Sequence, residues 1–163
     1  MQTADLAKTL TTLFSELVNG ASPDGAYMLN AGDEGLLRSL DKLSAQAASA
    51  VTLTGSSIAA HVDHLRYGLS LMNRWSDGEN PFADADWSTP WKKTMVSEDE
   101  WQTRRAELWT EAASWLEALR TPRDVQENEL NGMIGSIAHL AYHLGAIRQI
   151  DRATRGPAEG SIE

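Results

Sequence analysis

The chain has 163 residues, a length typical of one domain with its own hydrophobic core. It carries a net charge of −9 and no cysteine, which argues against a nucleic-acid partner and excludes disulfides, thiolate metal sites and a cysteine nucleophile. No apolar run approaches the length of a membrane span, and the N-terminus lacks the basic start and cleavage site of a signal peptide, so we expect a cytoplasmic protein without a membrane partner.

Helical periodicity runs through most of the chain, and no segment shows a convincing β-strand alternation. The first predicted helix covers about residues 3–18 and is closed by Gly20 and Pro23. Its apolar residues recur at three- and four-residue steps and form one stripe: Leu6, Leu10, Leu13, Phe14 and Leu17. Residues 21–56 are less regular and predict one or two short helices.

The second long helix is predicted to begin at Ser56 or Ser57, either of which can cap the free amide groups. The connection after it, residues 77–96, is longer than a usual helix–helix loop. It is long enough to cross the end of a bundle, so the second and third long helices need not be antiparallel neighbours. We expect its tryptophans, Trp87 and Trp91, to hold the connection on the core rather than to stack on a ligand.

The third long helix opens with Ser97 and Glu100, the spacing of a capping box, and stops before Pro122. The fourth is predicted to be capped by Asp124, with Glu127 at the third position. It ends in basic residues that suit the negative end of a helix dipole, Arg148, Arg152 and Arg155.

Four long helices predict an all-α protein with the architecture of a four-helix bundle and a long crossover between the second and third long helices. Residues 1–157 are expected to form this single domain. Residues 158–163 are expected to form a flexible tail.

All four histidines lie in close pairs on two of the predicted helices. In the fourth helix His139 and His143 are four residues apart, so their side chains lie about 40° apart on one face and can bind one ion. The same spacing supplies two ligands in helical zinc sites. The neighbours on this face are small, which leaves space beside the imidazoles: Gly132, Gly135, Ser136 and Ala146.

In the second helix His61 and His64 are three residues apart, and Gly68 follows one turn after His64. Both histidines fall within the apolar arc, so spacing alone does not choose between them as ligands. A single histidine on an apolar face is more often a hydrogen-bonded core residue than a ligand. Two pairs on two helices, each beside small residues, favour a metal site.

The segments SIAAHVDHL (57–65) and AHLAYHLGAIRQI (138–150) resemble the DinB/YfiT-like family of four-helix-bundle metalloproteins. Its members carry S-I-x-x-H-x-x-H-L in the second helix and H-x-x-x-H followed by x-G-Q-I in the last. The resemblance implies one divalent metal held by His64, His139 and His143, with His61 outside the usual ligand set. Ala146 stands where many members have glutamine.

Three neutral imidazoles leave open positions on Zn²⁺, Ni²⁺ or a similar ion, the arrangement of a catalytic site. Imidazole also suits Cu and Fe(II), so the sequence does not fix the metal, and Zn²⁺ or Ni²⁺ is the expectation. A bound water could become a nucleophile, or a substrate thiol could bind as thiolate. The resemblance implies a transferase that uses a low-molecular-weight thiol, or a hydrolase, acting on a small-molecule substrate. A non-enzymatic stress-response or interaction protein is the alternative, and a bundle with buried structural histidines and no metal is a third.

Each ligating imidazole needs a hydrogen-bond partner for its second nitrogen. The candidates near the histidines in sequence are Asp63, Tyr67, Ser136 and Tyr142. Helix-bundle relatives are commonly homodimers, and the apolar stripe of the first helix or the tryptophan-rich third helix could provide the contact.

Overall fold

The computed structural model describes residues 3–23, 25–53 and 55–158. Within these ranges the protein is all-α and contains no β-strand, as the periodicity predicts. The α-helices are α1 (Thr3–Asn19), α2 (Gly35–Asp41), α3 (Ala45–Ala48), α4 (Ile58–Ser76), α5 (Glu98–Arg120) and α6 (Glu127–Ile150). Three short 3₁₀ turns complete the described secondary structure: Pro81–Ala83, Thr89–Trp91 and Arg152–Thr154. Of the predicted tail, only Ala158 lies among the described residues.

Four long helices, α1, α4, α5 and α6, share one hydrophobic core. Helix α5 packs against α1 and α4, and α6 packs against the same two helices. The stripe predicted for the first helix faces this core, where Leu10, Phe14 and Leu17 are buried. Trp101 and Trp115 of α5 are its largest fully buried side chains. No described helix has both the length and the apolar character that spanning a bilayer requires.

Helices α4 and α5 are neighbours that run parallel. Arg104 donates to the carbonyl of Ala59 near the start of both helices, and Asn73 donates to the carbonyl of Glu111 further along both. The connection between them must therefore return along the length of α4. This return explains its size and brings its tryptophans beside the histidine-bearing part of α4.

The helix ends follow the predicted caps in α4 and α5 but not in α6. Ser57, rather than Ser56, caps α4 by accepting from the amide of Ala60, and Ser97 forms the predicted capping box with Glu100. The predicted cap at Asp124 is wrong, because α6 begins at Glu127 and the residue before it makes no side-chain cap.

The predicted reach of the fourth helix to Arg155 is also wrong. Asp151 is extended (φ −130°, ψ 124°) and ends α6, and its side chain caps the following 3₁₀ turn. Arg148 donates to the buried carboxylate of Asp33 at 2.7 Å. Arg155 still donates to a carbonyl in the last turn of α6, that of Arg148.

The segment between α1 and α2 is held by a buried carboxylate. Glu16 of α1 accepts hydrogen bonds from the backbone amides of Tyr27, Met28 and Leu29 at 2.7–3.0 Å. Gly20 ends α1 with φ +104°, and a Cβ there would lie 2.3 Å from the carbonyl oxygen of Asp33. Only glycine fits this position, since both the backbone conformation and the close approach exclude a side chain.

Candidate metal centre

The four histidines meet where α4 and α6 pack against each other. These helices run antiparallel, so His61 lies opposite His143 and His64 lies opposite His139. The Nε2 atom of His139 is 3.0 Å from the Nε2 atom of His64 and 3.0 Å from that of His143. Each of the three can offer a ligand atom, and these atoms lie within 4.8 Å of one another, close enough to bind one metal ion. The expected convergence of three histidines from two distant segments is therefore present.

The geometry of the three imidazoles fits a small divalent ion. Ligand nitrogens 2.0–2.1 Å from tetrahedral zinc lie about 3.3 Å apart. The two Nε2–Nε2 distances at His139 are slightly shorter. His139 Nε2 carries either one proton or one in-plane lone pair, so it can make a well-directed hydrogen bond to only one of its two neighbours. A cation shared by the three nitrogens removes this conflict.

His61 contacts the second ring nitrogen of His143, a role that the sequence did not reveal. Its Nδ1 atom lies 2.8 Å from Nδ1 of His143. When His143 donates its Nδ1–H to His61, its Nε2 carries a lone pair directed at the other two histidines. Spacing alone left His61 and His64 equivalent. The antiparallel packing of α4 and α6 separates their roles.

The four partners expected from sequence do not hydrogen-bond to the imidazoles. Asp63 forms ion pairs with Arg66 and Arg104, and the hydroxyl of Tyr67 accepts from the amide of Asp86. The hydroxyl of Ser136 accepts from Trp115 and donates to a backbone carbonyl. Tyr142 is 71% exposed and contacts His143 only ring to ring. His64 Nδ1 is buried without a hydrogen-bond partner among the described residues.

The two tryptophans of the crossover form one wall of the site. The ring of Trp91 lies 4.7 Å from that of His64 and 5.0 Å from that of His61, measured between centroids. Trp87 lies 5.7 Å from His64. They hold the crossover against the protein, as predicted, but they do so by packing on the histidines.

The sequence predicts open space beside the imidazoles, at glycines on the same face of α6. Such space is present at Gly135. A Cβ on Gly132 would lie 2.4 Å from the ring of Trp75, so that side of α6 is filled. A Cβ on Gly135 would meet nothing within 4 Å. Gly135 and His139 both border a cavity of about 590 Å³. The site therefore adjoins a space of ligand size.

Burial keeps the four imidazoles neutral near pH 7. Burial, together with the smaller effect of charges on the neighbouring histidines, lowers the pKa of His64 to about 4 and that of His143 to about 3. The carboxylate of Asp63 opposes this effect at His64. Burial also lowers the pKa values of His61 and His139. Neutral imidazole is the form that ligates a metal.

The lowered pKa values predict that the metal-free protein loses stability in mild acid. An unfolded histidine has a pKa of about 6.5, so below that pH the unfolded chain binds more protons than the folded one. For His64 the loss approaches about 1.4 kcal/mol per pH unit as the pH falls from 6.5 towards 4. In the presence of chelator, we expect the urea concentration at the midpoint of unfolding to decrease when the pH is lowered from 7.5 to 5.5. The decrease should be smaller in His64→Leu. Equal midpoints at the two pH values would contradict the expectation.

Replacing His61 tests whether it positions His143 or binds the ion itself. We expect His61→Leu to weaken zinc binding about 10–100-fold, the usual effect of removing a partner of a ligating imidazole. His64→Leu, an equally buried change on the same helix, should abolish binding. Competition titrations with a chromophoric chelator measure both. Equal losses would make His61 a ligand, and an unchanged affinity in His61→Leu would remove its positioning role.

The chain matches no protein-family model, and no curated protein or solved structure was found to be similar to it. The functional interpretation therefore rests on the geometry of the site.

Proposed function

We propose that the protein is a divalent-metal-dependent enzyme acting on a small molecule, either as a low-molecular-weight-thiol S-transferase or as a hydrolase. The observation that carries the proposal is the convergence of His64, His139 and His143 on one point. Three imidazoles are too few to complete a structural zinc site and leave a position for substrate or water. Zn²⁺ and Ni²⁺ are among the ions that imidazole ligands suit.

A bound ion would lower the pKa of a water or thiol in its open position and so supply a nucleophile at neutral pH. The protein's own residues orient and enclose that position. His61 holds the ring of His143, while Trp91 covers His61 and His64. The cavity beside His139 provides room for a substrate next to the ligands.

We propose further that the chain is a four-helix bundle of the DinB/YfiT-like type. Support comes from the two histidine motifs, from four long helices around one core and from the crossover that returns along α4. The pairing of α1 and α4 with both α5 and α6 agrees with a bundle arrangement.

Two measurements test the function together. Protein purified without a nickel column should contain about one divalent ion per chain by elemental analysis. The metal-loaded protein should then turn over electrophilic or ester substrates, with or without mycothiol, bacillithiol or glutathione, and chelator should stop the reaction. Metal-free protein whose stability is unchanged by added zinc would overturn the proposal. A metal-loaded protein with no activity would favour the alternative of a stress-response or interaction protein.

We also propose that the protein is a homodimer, with a contact on α5. The stripe of α1 is unavailable for this contact, because Leu10, Phe14 and Leu17 lie in the core. Trp109 of α5 is 59% exposed. Light scattering at micromolar concentration should give twice the chain mass for the native protein and the single mass for Trp109→Glu. Tyr142→Glu serves as the control at another exposed aromatic residue, and a monomeric native protein would contradict the expectation.

A further inference from the structure

The cavity beside the histidines carries information about the substrate. It has a volume of about 590 Å³ and is bounded by α4, by α6 and by the crossover. His139 lies in its wall, so a ligand in the cavity can place one end at the metal site. This size lies within the usual range for small-molecule pockets.

Three large aromatic side chains line the cavity, together with aliphatic residues of α4 and α6. Trp75 and Phe82 contact each other edge to face with centroids 5.6 Å apart, and Trp87 lies nearer the histidines. Phe82 is 40% exposed and Trp87 is 41% exposed. Both therefore keep apolar surface that a ligand in the cavity could cover, and covering such surface is favourable.

The polar residues of the wall are uncharged. They are Asn80, Asn128, Asn131, Ser136 and His139. No lysine, arginine, aspartate or glutamate lines the cavity among the described residues. A charged group entering it would lose hydration without gaining an ionic partner, which is unfavourable.

We propose that this cavity selects an uncharged ligand with an apolar, ring-sized body and a thiol or similar donor atom directed at the metal. The inference deepens the proposed function and rests on its metal site. It adds that a thiol whose far end carries a carboxylate or an ammonium group is discriminated against, so of the thiols named above we expect bacillithiol and glutathione, which carry both groups, to bind poorly. The apolar body lies against Phe82 and Trp87, and the donor atom lies beside His139.

Four thiols on the cobalt(II)-loaded protein test the selectivity. 2-Phenylethanethiol has an uncharged apolar body, 2-mercaptoethanol is uncharged but lacks the ring, 3-mercaptopropionate is anionic and cysteamine is cationic. Thiolate binding is followed by the charge-transfer absorption that a cobalt–sulfur bond produces. We expect 2-phenylethanethiol to reach half-saturation at a concentration at least ten-fold lower than the other three.

A matched pair of glycine variants tests the place of binding. Gly135 lines the cavity, whereas Gly145 lies on the same helix and does not, and a Cβ at either position meets nothing within 4 Å. Gly135→Leu should weaken the binding of 2-phenylethanethiol at least ten-fold and leave the binding of 2-mercaptoethanol unchanged. Gly145→Leu should change neither. Helix content and thermal unfolding by circular dichroism verify that both variants fold.

The outcomes separate this inference from the proposed function. Cobalt binding is seen in the visible absorption before any thiol is added, and its absence would overturn the metal site together with the inference. If cobalt binds but the four thiols bind equally, or a charged thiol binds best, the inference alone is overturned. Equal effects of Gly135→Leu and Gly145→Leu would also overturn it, because the ligand would then lie outside the cavity.

Discussion

His139→Ala is expected to abolish binding of the divalent ion and to leave the helical fold intact. The Nε2 atom of His139 lies 3.0 Å from the Nε2 atoms of both His64 and His143, so its removal breaks up the whole ligand set. Structural zinc sites with four ligands bind with about 10–16 kcal/mol, so one imidazole contributes on the order of 3 kcal/mol. This corresponds to an affinity loss of more than 100-fold. Elemental analysis and chelator competition measure the change.

Tyr142→Phe is the matched control for the loss at His139. Tyr142 lies on the same helix and contacts the ring of His143, but its hydroxyl makes no hydrogen bond to an imidazole. Removing that hydroxyl should leave zinc affinity unchanged. If His139→Ala retained one tightly bound ion per chain, the three histidines would not form the metal site. If Tyr142→Phe lost the ion, the Tyr142 hydroxyl would belong to the metal site and the three histidines alone would not hold the ion.

Glu16→Ala is expected to destabilise the protein by about 3 kcal/mol, because three backbone amides lose their acceptor. A hydrogen bond to a charged group contributes about 1.5–3 kcal/mol, and an unpaired buried donor costs about 1–3 kcal/mol. Water can reach part of this segment, since the side chain of Tyr27 is exposed, which keeps the total below the sum for three bonds. Urea unfolding measures the change.

Glu117→Ala is the control for the loss at Glu16. Glu117 lies on α5 with its side chain 67% exposed, and it forms a surface ion pair with Arg120, so its removal should change stability by less than about 0.5 kcal/mol. Glu16 binds the segment before α2 and does not contact the histidines. The folded Glu16→Ala protein should therefore keep its zinc affinity. If Glu16→Ala were as stable as the native protein, the amides of Tyr27, Met28 and Leu29 would have other acceptors in the variant.

Local sequence patterns predicted the helical framework because helix formation depends on residues three and four apart. The stripe of α1 and the capping box of α5 follow this rule, and both are present. The same periodicity placed His139 and His143 on one face of α6. The cap at Asp124 was predicted wrongly, because a suitable spacing of side chains does not ensure that the backbone is helical at that point.

Contacts between distant segments could not be read from local patterns. Arg148 suits the end of a helix by its charge, yet it pairs with Asp33, more than one hundred residues earlier in the chain. The tryptophans of the crossover were expected on the core, and they pack on the histidines because α4 and α5 run parallel. The relative direction of α4 and α5 depends on how whole helices pack, which residues three and four apart do not determine.

The sequence by itself determined the helices, the pairing of histidines within each helix and the absence of cysteine ligands, since these follow from residue identity and spacing along the chain. The tertiary structure alone decided that His64 faces His139 while His61 faces His143, because the antiparallel packing of α4 and α6 sets which residues meet. It also decided that a cavity with aromatic residues and no charged residue in its wall adjoins His139, since that wall joins α4 and the crossover to α6, which lies far away in the sequence.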